Sequence, residues 1–149
     1  MSVSLIAYFK VDNTLFFNAN DGITGAELWK SDGTLSGTVQ IQDIYPGIGS
    51  SYPGNFGTLG AQILFAAING TAGFELWKSD GSTVTFIKDI NPYSADAGTS
   101  YIVNMKWTLF FRASDGDDPG HHGAELWKSD GTAAGTSLVK DILAGTGSS

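Results

Sequence analysis

The stretch Glu27-Leu28-Trp29-Lys30-Ser31-Asp32-Gly33-Thr34 returns at residues 75–82, with serine in place of the final threonine, and unchanged at residues 125–132. The three copies lie about 50 residues apart, a spacing typical of repeats that each form one supersecondary unit. Such a unit cannot bury its apolar surface alone, so neighbouring units stack and share a core. The 149 residues are therefore predicted to form a single repeat domain, 1–149, with repeats at approximately 3–50, 51–99 and 100–149.

Each repeat is predicted to form four short β-strands. The second strand is the Leu15-Phe16-Phe17 run and the third is Glu-Leu-Trp-Lys, while the first strands are 8–11, 56–59 and 102–105 and the fourth are 39–44, 84–90 and 137–142. Asp-Gly pairs follow the third strands, where a hairpin turn needs a residue with positive φ. No stretch keeps the apolar spacing of a stable helix, so the sequence predicts an all-β protein.

The second strands indicate how the units are buried. Apolar residues follow one another in Leu15-Phe16-Phe17, and likewise in Ile63-Leu64-Phe65 and Leu109-Phe110-Phe111. A strand with one wet face would alternate apolar and polar residues, so both faces of these strands are predicted to be covered. The fourth strand of the first repeat, Val39-Gln40-Ile41-Gln42, does alternate, as expected of a wetter outer edge. Four-stranded antiparallel sheets of this kind are typical of β-propeller blades.

The strings AELWKSDGTLSGT, FELWKSDGSTVT and AELWKSDGTAAGT, each followed by a run that ends in Asp-Ile, resemble the ELWxxDGT repeat of bacterial tandem-repeat proteins, sometimes labelled hyalin-like. The resemblance covers nearly the whole chain. It implies propeller-type blades and an exported, cell-surface setting, and it implies no known activity. The second repeat departs from the pattern, with Ser82-Thr83-Val84-Thr85 in place of a longer Thr-x-x-Gly-Thr turn. Its loop between the third and fourth strands is therefore predicted to be shorter.

Three blades would leave an open arc, because a propeller ring usually has at least four. Each uncovered face would measure roughly 800 Å², and burial of apolar surface stabilises a protein by about 25 cal/mol per Å². Leaving two such faces exposed would lose hydrophobic free energy comparable to the whole stability of a domain, about 5–15 kcal/mol. We therefore expect a homodimer in which each chain supplies half of a six-bladed ring. The alternatives are a β-trefoil or a β-prism closed within one chain. A further interpretation is that the sequence was cut from a longer array, since both ends match the linker Gly49-Ser50-Ser51.

Composition narrows the classes of partner. The chain has 8 Lys and Arg residues against 15 Asp and Glu residues, which gives a formal net charge of −7. This charge opposes binding to nucleic acid and to anionic membranes. The apolar runs are too short to span a membrane, and residues 1–10 lack the features of a signal peptide, so export is expected to need a leader outside this sequence. The absence of cysteine excludes disulfides.

Four kinds of residue recur at fixed places, and each has a functional and a structural interpretation. The tryptophans could stack on sugars, but a large aromatic side chain in every repeat favours packing between blades. The carboxylates could act as acids, bases or metal ligands, yet no pair is oriented as glycoside hydrolysis requires, and the Asp-Gly-Thr turns lack the further ligands of a calcium loop. A network of carboxylates, lysines and backbone amides that holds each blade is the simpler interpretation. Structural roles are predicted for Trp29, Trp77, Trp127, Glu27, Glu75, Glu125, Asp32, Asp80, Asp130, Asp43, Asp89 and Asp141.

Features unique to the third repeat are the better candidates for a binding site. Residues 115–122 form an insertion that contains both histidines of the chain, and histidine and aspartate side chains together can ligate zinc. Trp107, beside the turn between the first two strands, suits a carbohydrate contact if it is exposed. The candidate ligand-binding residues are Trp107, Asp117, Asp118, His121 and His122. A solvated loop and a buried Trp107 are the alternatives, and metal-assisted hydrolysis at the loop is a minor hypothesis.

The sequence otherwise predicts no enzyme and no cofactor, because it has no catalytic triad pattern and no phosphate-binding loop. The preferred interpretation is a non-catalytic binding module, lectin-like, that recognises carbohydrate or a cell-surface component through repeated blade pockets. The alternative is a structural or assembly repeat unit with no small ligand.

Overall fold

The computed structural model describes residues 8–92 and 95–149 and arranges them in three four-stranded antiparallel sheets, one for each repeat. The strands of the first sheet are β1 (Tyr8–Val11), β2 (Thr14–Asn20), β3 (Ala26–Ser31) and β4 (Val39–Gln42). Those of the second are β5 (Gly54–Leu59), β6 (Gln62–Ala67), β7 (Glu75–Ser79) and β8 (Val84–Lys88). Those of the third are β9 (Ser100–Met105), β10 (Thr108–Ser114), β11 (Ala124–Ser129) and β12 (Ser137–Lys140). The described residues form no helix, and therefore no helix that could cross a membrane.

Each sheet is a meander in which consecutive strands are neighbours. The tight turns between the first and second strands and the Asp-Gly turns between the third and fourth strands thus lie at one end of each sheet, which we call the turn end. The loops between the second and third strands and the linkers to the next sheet lie at the opposite end, the loop end. The all-β prediction with four antiparallel strands in each repeat is confirmed.

The Asp-Gly turns have the predicted conformation. Gly33, Gly81 and Gly131 have φ values of 90°, 84° and 85°, a region that residues with a Cβ rarely adopt. Asp32 Oδ1 accepts hydrogen bonds from the backbone N–H and the hydroxyl of Thr34, at 2.9 and 2.7 Å. The connection between β7 and β8, residues 80–83, is shorter than its counterparts at 32–38 and 130–136, as predicted.

The sheets stack in chain order, and the same pair of faces meets twice. We call the face that each sheet turns toward the following repeat its leading face, and the opposite face its trailing face. The leading face of the first sheet packs with Phe16, Leu28 and Ile44 against Ile63, Phe65 and Trp77 on the trailing face of the second. The leading face of the second sheet packs with Leu64, Leu76 and Ile90 against Leu109, Phe111 and Trp127 on the trailing face of the third. β5 lies beside both β1 and β9, so the first strands run along one side of the stack.

Two sequence predictions need correction. The second strand is buried on both faces in the central sheet, where Ile63, Leu64 and Phe65 have no exposed surface, but Leu15 of the first sheet and Phe110 of the third are half-buried, because each end sheet has a neighbour on one side only. The fourth strands end at Gln42, Lys88 and Lys140, earlier than predicted. The reason is that the backbone N–H of Ile44, two residues later, donates to the Glu27 carboxylate instead of to a strand.

Candidate functional site

The repeated glutamates bind the linker that leads out of their own sheet. Glu27 has no exposed surface, and its Oε2 accepts from Ile44 N at 2.9 Å and from Ser51 Oγ at 2.6 Å. Its Oε1 accepts from Ser51 N at 3.0 Å. Glu75 binds Ile90 N and Ala97 N in the same way, at 2.7 and 3.1 Å. A carboxylate that is enclosed and occupied by linker amides is placed to hold the sheets in sequence, with no access for a substrate.

The third glutamate completes the series and, like the first, receives a serine hydroxyl. Ser149 Oγ donates to Glu125 Oε2 at 2.7 Å and lowers the pKa of Glu125. Burial raises the pKa of Glu27 despite the bond from Ser51. Burial raises the pKa of Glu75 to about 8, and in this repeat an alanine, Ala97, stands where the other two have a serine that donates.

The aspartates that follow the fourth strands lie in the same linkers. Asp43 Oδ2 accepts from Gly47 N, and Asp141 Oδ2 accepts from Gly145 N, both at 3.1 Å. Burial raises the pKa of Asp89. The contacts of Asp43 and Asp141 are turn contacts within one linker, so these two aspartates stabilise the local chain.

Two of the three repeated tryptophans lie in the cores between sheets. Trp77 and Trp127 are buried, and Trp77 Nε1 donates to Ala67 O at 3.0 Å. Trp29 occupies the same place on the trailing face of the first sheet, where it is half-buried because none of the described sheets lies against that face. The buried pair has no face free to stack on a sugar.

Lysines join adjacent sheets through backbone carbonyls, whereas the sequence predicts them in a network that holds each blade. Lys78 Nζ donates to Gly131 O in the Asp-Gly turn of the third sheet at 2.9 Å. Lys88 Nζ donates to Thr136 O at 2.8 Å and lies 5.8 Å from the centre of the Trp127 ring. One sequence signal could have indicated the contact of Lys78: a lysine directly follows each repeated tryptophan, so its side chain lies on the opposite face of the third strand.

The insertion in the third repeat is closed by its own hydrogen bonds. Asp115 Oδ2 lies 2.7 Å from His122 Nδ1, and Asp115 Oδ1 accepts from His122 N at 2.7 Å. The hydrogen bond to Asp115 raises the pKa of His122. Asp117 and Asp118 are exposed, and the buried Nδ1 of His121 has no hydrogen-bond partner. Over residues 8–92 and 95–149 no three His, Asp or Glu side chains come together in a way that could hold a metal ion.

Trp107 lies at the other end of the sheet. It is 72% exposed, at the turn end, and a Cβ built on Gly60 would lie 3.2 Å from its Cζ3, so the indole rests against the neighbouring turn. Strand β10 separates it from the histidine loop, and a strand of this length spans about 20 Å. The five residues predicted to bind a ligand therefore do not form one site.

The leading face of the third sheet is the most distinctive surface of the described chain. Its Leu126 is 39% exposed, whereas Leu28 and Leu76, at the same place in the other repeats, are fully buried. Ile142 is 59% exposed, against 4% for Ile44 and 3% for Ile90. Strand pairing and repeat position place six apolar residues on this face, all exposed or half-buried: Val103, Met105, Phe110, Leu126, Val139 and Ile142.

Basic side chains accompany this apolar surface. Arg112 and Lys140 both pair with Leu126 across the sheet, and Lys128 pairs with Phe110, so all three lie on the leading face. All three are exposed. Lys128 and Lys140 hold the places of Lys78 and Lys88, the lysines of the second repeat that reach the third sheet, whereas Arg112 holds the place of Ala66. The apolar positions of this face match those of the internal interfaces, but over the described residues nothing packs on it.

Comparison with known proteins gave no match, whether to family models, to curated proteins or to solved structures.

Proposed function

We propose that this chain is a structural assembly unit that works by association through the leading face of its third sheet. The observation that supports the proposal is the exposure there of six apolar residues whose counterparts are packed between sheets in the first two repeats. Exposed apolar patches of this kind mark association sites, because leaving apolar surface in water is unfavourable.

Solution mass tests this proposal. We expect the wild-type chain at about 100 µM to have at least twice its 15.7 kDa mass in light scattering. A Leu126→Glu variant should have a lower mass, because an unpaired charge would be buried in the association surface. The matched control is Ile48→Glu, at a residue that is 92% exposed on a linker at the loop end. A wild type that stays at 15.7 kDa, or a Leu126→Glu variant with unchanged mass, contradicts the proposal.

Carbohydrate recognition is a second candidate function, favoured by the exposure of Trp107. An indole face that rests on one side and is open on the other can stack on the apolar face of a sugar ring. The repeated tryptophans do not offer this, so the candidate becomes a single contact on the third sheet. A glycan array should show binding that Trp107→Ala abolishes and that Tyr101→Ala, at another exposed aromatic residue, leaves in place. No binding by the wild type would remove this candidate.

A further inference from the structure

We propose that the partner on the leading face of the third sheet is the trailing face of the first sheet of a second copy of this chain. The inference rests on the proposed assembly function and names its partner. Within the chain a leading face is covered twice, and each time by the trailing face of the next repeat. Among residues 8–92 and 95–149, one trailing face has no sheet against it, that of the first repeat, where Tyr8 is exposed and Leu15 and Trp29 are half-buried.

Contacts between first strands form a series that the two free faces continue. The Phe9 ring stacks on Phe56 with 6.0 Å between centroids. At the next interface the equivalent pair is Gly57 and Ile102, and a Cβ built on Gly57 would lie 3.0 Å from Ile102 Cβ. At the proposed interface between two copies, the residues in the same two places are Val103 on the leading face of one copy and Tyr8 on the trailing face of the other. Both are more than half exposed in the single chain, at 61% and 71%.

The lysine contacts between the second and third sheets also have counterparts on the two free faces. Lys128 occupies the place of Lys78, so its ammonium group meets the carbonyl of Gly33, the counterpart of Gly131. Lys140 occupies the place of Lys88, so it meets the carbonyl of Thr38 and lies over Trp29. Lys78 also lowers the pKa of Asp130, after the larger effect of the Thr132 hydrogen bonds. The corresponding pair across the new interface is Lys128 and Asp32, of opposite charge.

Two chains are the number that closes the assembly. If copies join leading face to trailing face in a linear row, one leading face and one trailing face stay uncovered at the two ends of the row. Only a closed ring covers every face. Propeller rings have about four to eight blades. One chain supplies three sheets, which is too few, and three chains would supply nine, which is too many. Two chains give a six-bladed ring with two equivalent interfaces.

Cysteine cross-linking tests the partner and the closure together, since the natural chain has no cysteine. Tyr8→Cys and Val103→Cys are made as separate variants and mixed under mild oxidation. We expect a covalent two-chain product in the mixture and none in either variant alone. The double variant Tyr8→Cys/Val103→Cys should give a product of two chains with two disulfides and no larger species. Gly57→Cys/Ile102→Cys, which tests the equivalent internal pair, is the positive control and should form its disulfide within one chain.

The outcomes separate this inference from the proposed function. If the wild type associates but the mixture does not cross-link while the internal control does, assembly stands and the named partner is wrong. Cross-linking by Val103→Cys alone would mean that two leading faces meet each other, and a ladder of products from the double variant would mean an open filament. Either result overturns the ring. A wild type that does not associate contradicts both proposals.

A lysine substitution gives an independent measure of the same interface. Lys128→Met should weaken association about tenfold, because a hydrogen bond from a charged group to a buried carbonyl is lost. Ile48→Met is the control, since Ile48 is 92% exposed on a linker at the loop end and lies outside the predicted contacts. Equal dissociation constants for the two variants would contradict the predicted contact to Gly33.

Discussion

At the scale of single residues, the three glutamates form a natural series in which one donor is varied. Glu27 and Glu125 each receive a serine hydroxyl, from Ser51 and Ser149, and Glu75 does not. Burial raises the pKa of both Glu27 and Glu75, for Glu75 to about 8, where the charge of Asp89 raises it further. Because a hydroxyl donor stabilises the charged form of a carboxyl group, the alanine at position 97 deprives Glu75 of one contribution that would lower its pKa.

Ala97→Ser should therefore stabilise the protein, and more at high pH than at low pH. The folded pKa of Glu75, about 8, lies above its ordinary value of 4.5. The native state therefore binds the proton of the Glu75 carboxyl group more tightly than the unfolded state does, and the protein loses stability as the pH rises between these two values. The added hydroxyl lowers the folded pKa and reduces the loss. We expect the free energy of unfolding to rise by about 1.5 kcal/mol at pH near 9 and to change little near pH 5. Urea denaturation at fixed protein concentration measures both values.

Ser51→Ala is the reverse control at the equivalent position of the first repeat. It removes the 2.6 Å bond to Glu27 and should destabilise the protein, again by more at high pH than at low pH, because the bond stabilises the charged carboxylate. A uniform effect of Ala97→Ser across the pH range would mean that the serine acts by packing and not through Glu75.

At the scale of strands and sheets, much of the architecture could be predicted because it is written three times. The Asp-Gly turns, the three apolar residues in each second strand and the tryptophan are local signals that recur in register. Strand ends could not be read in this way. The amides of Ile44 and Ile90 look like strand continuation in sequence, and only the fold brings the glutamate carboxylate to them.

The candidate binding residues show the same limit. Trp107 and His122 are only fifteen positions apart in sequence, yet the direction of β10 places them at opposite ends of the sheet. Trp107 and His122 were candidates because tryptophan and histidine are unusual residue types at these places in the repeat. No local sequence pattern predicts at which end of the sheet a given loop will lie. The lysine contacts escaped prediction because their acceptors are carbonyls of another repeat.

A matched pair of leucines tests the energetics of a sheet face. Leu76→Ala should cost about 2–5 kcal/mol at any protein concentration, since Leu76 is fully buried within the chain. Leu126→Ala changes the same repeat position, but Leu126 is 39% exposed in the single chain. Its cost should be small in dilute samples, where chains are separate, and should approach that of Leu76→Ala when they are associated. Denaturation at two protein concentrations measures the difference.

Equal costs for the two leucine variants at both concentrations would contradict this expectation. That result would mean that the third sheet is held by contacts within its own chain, and the leading face would then need another explanation. A smaller but concentration-dependent cost for Leu126→Ala would still support association, since packing at an interface between chains need not match packing within one.

At the scale of the whole molecule, the sequence predicts the problem of the open arc, and the fold shows where the two uncovered faces lie. Over the described residues these faces are the counterparts of the two surfaces that meet twice inside the chain, and this is why we propose that they pair between copies. Sequence alone could not decide between a ring of two chains and a fold closed within one chain. Three-fold repetition is compatible with both, and the difference lies in the angle between neighbouring repeats.

Two copies joined end to end in one polypeptide should form the ring within a single molecule. Linking the copies replaces association by an intramolecular step with an effective concentration in the millimolar range. We expect a monomer of about twice 15.7 kDa whose unfolding midpoint is higher than that of the unlinked chain and independent of protein concentration. The unlinked chain should lose stability on dilution. If each arc were self-sufficient, the fusion would unfold as two independent domains at the midpoint of the single chain, and dilution would change neither protein.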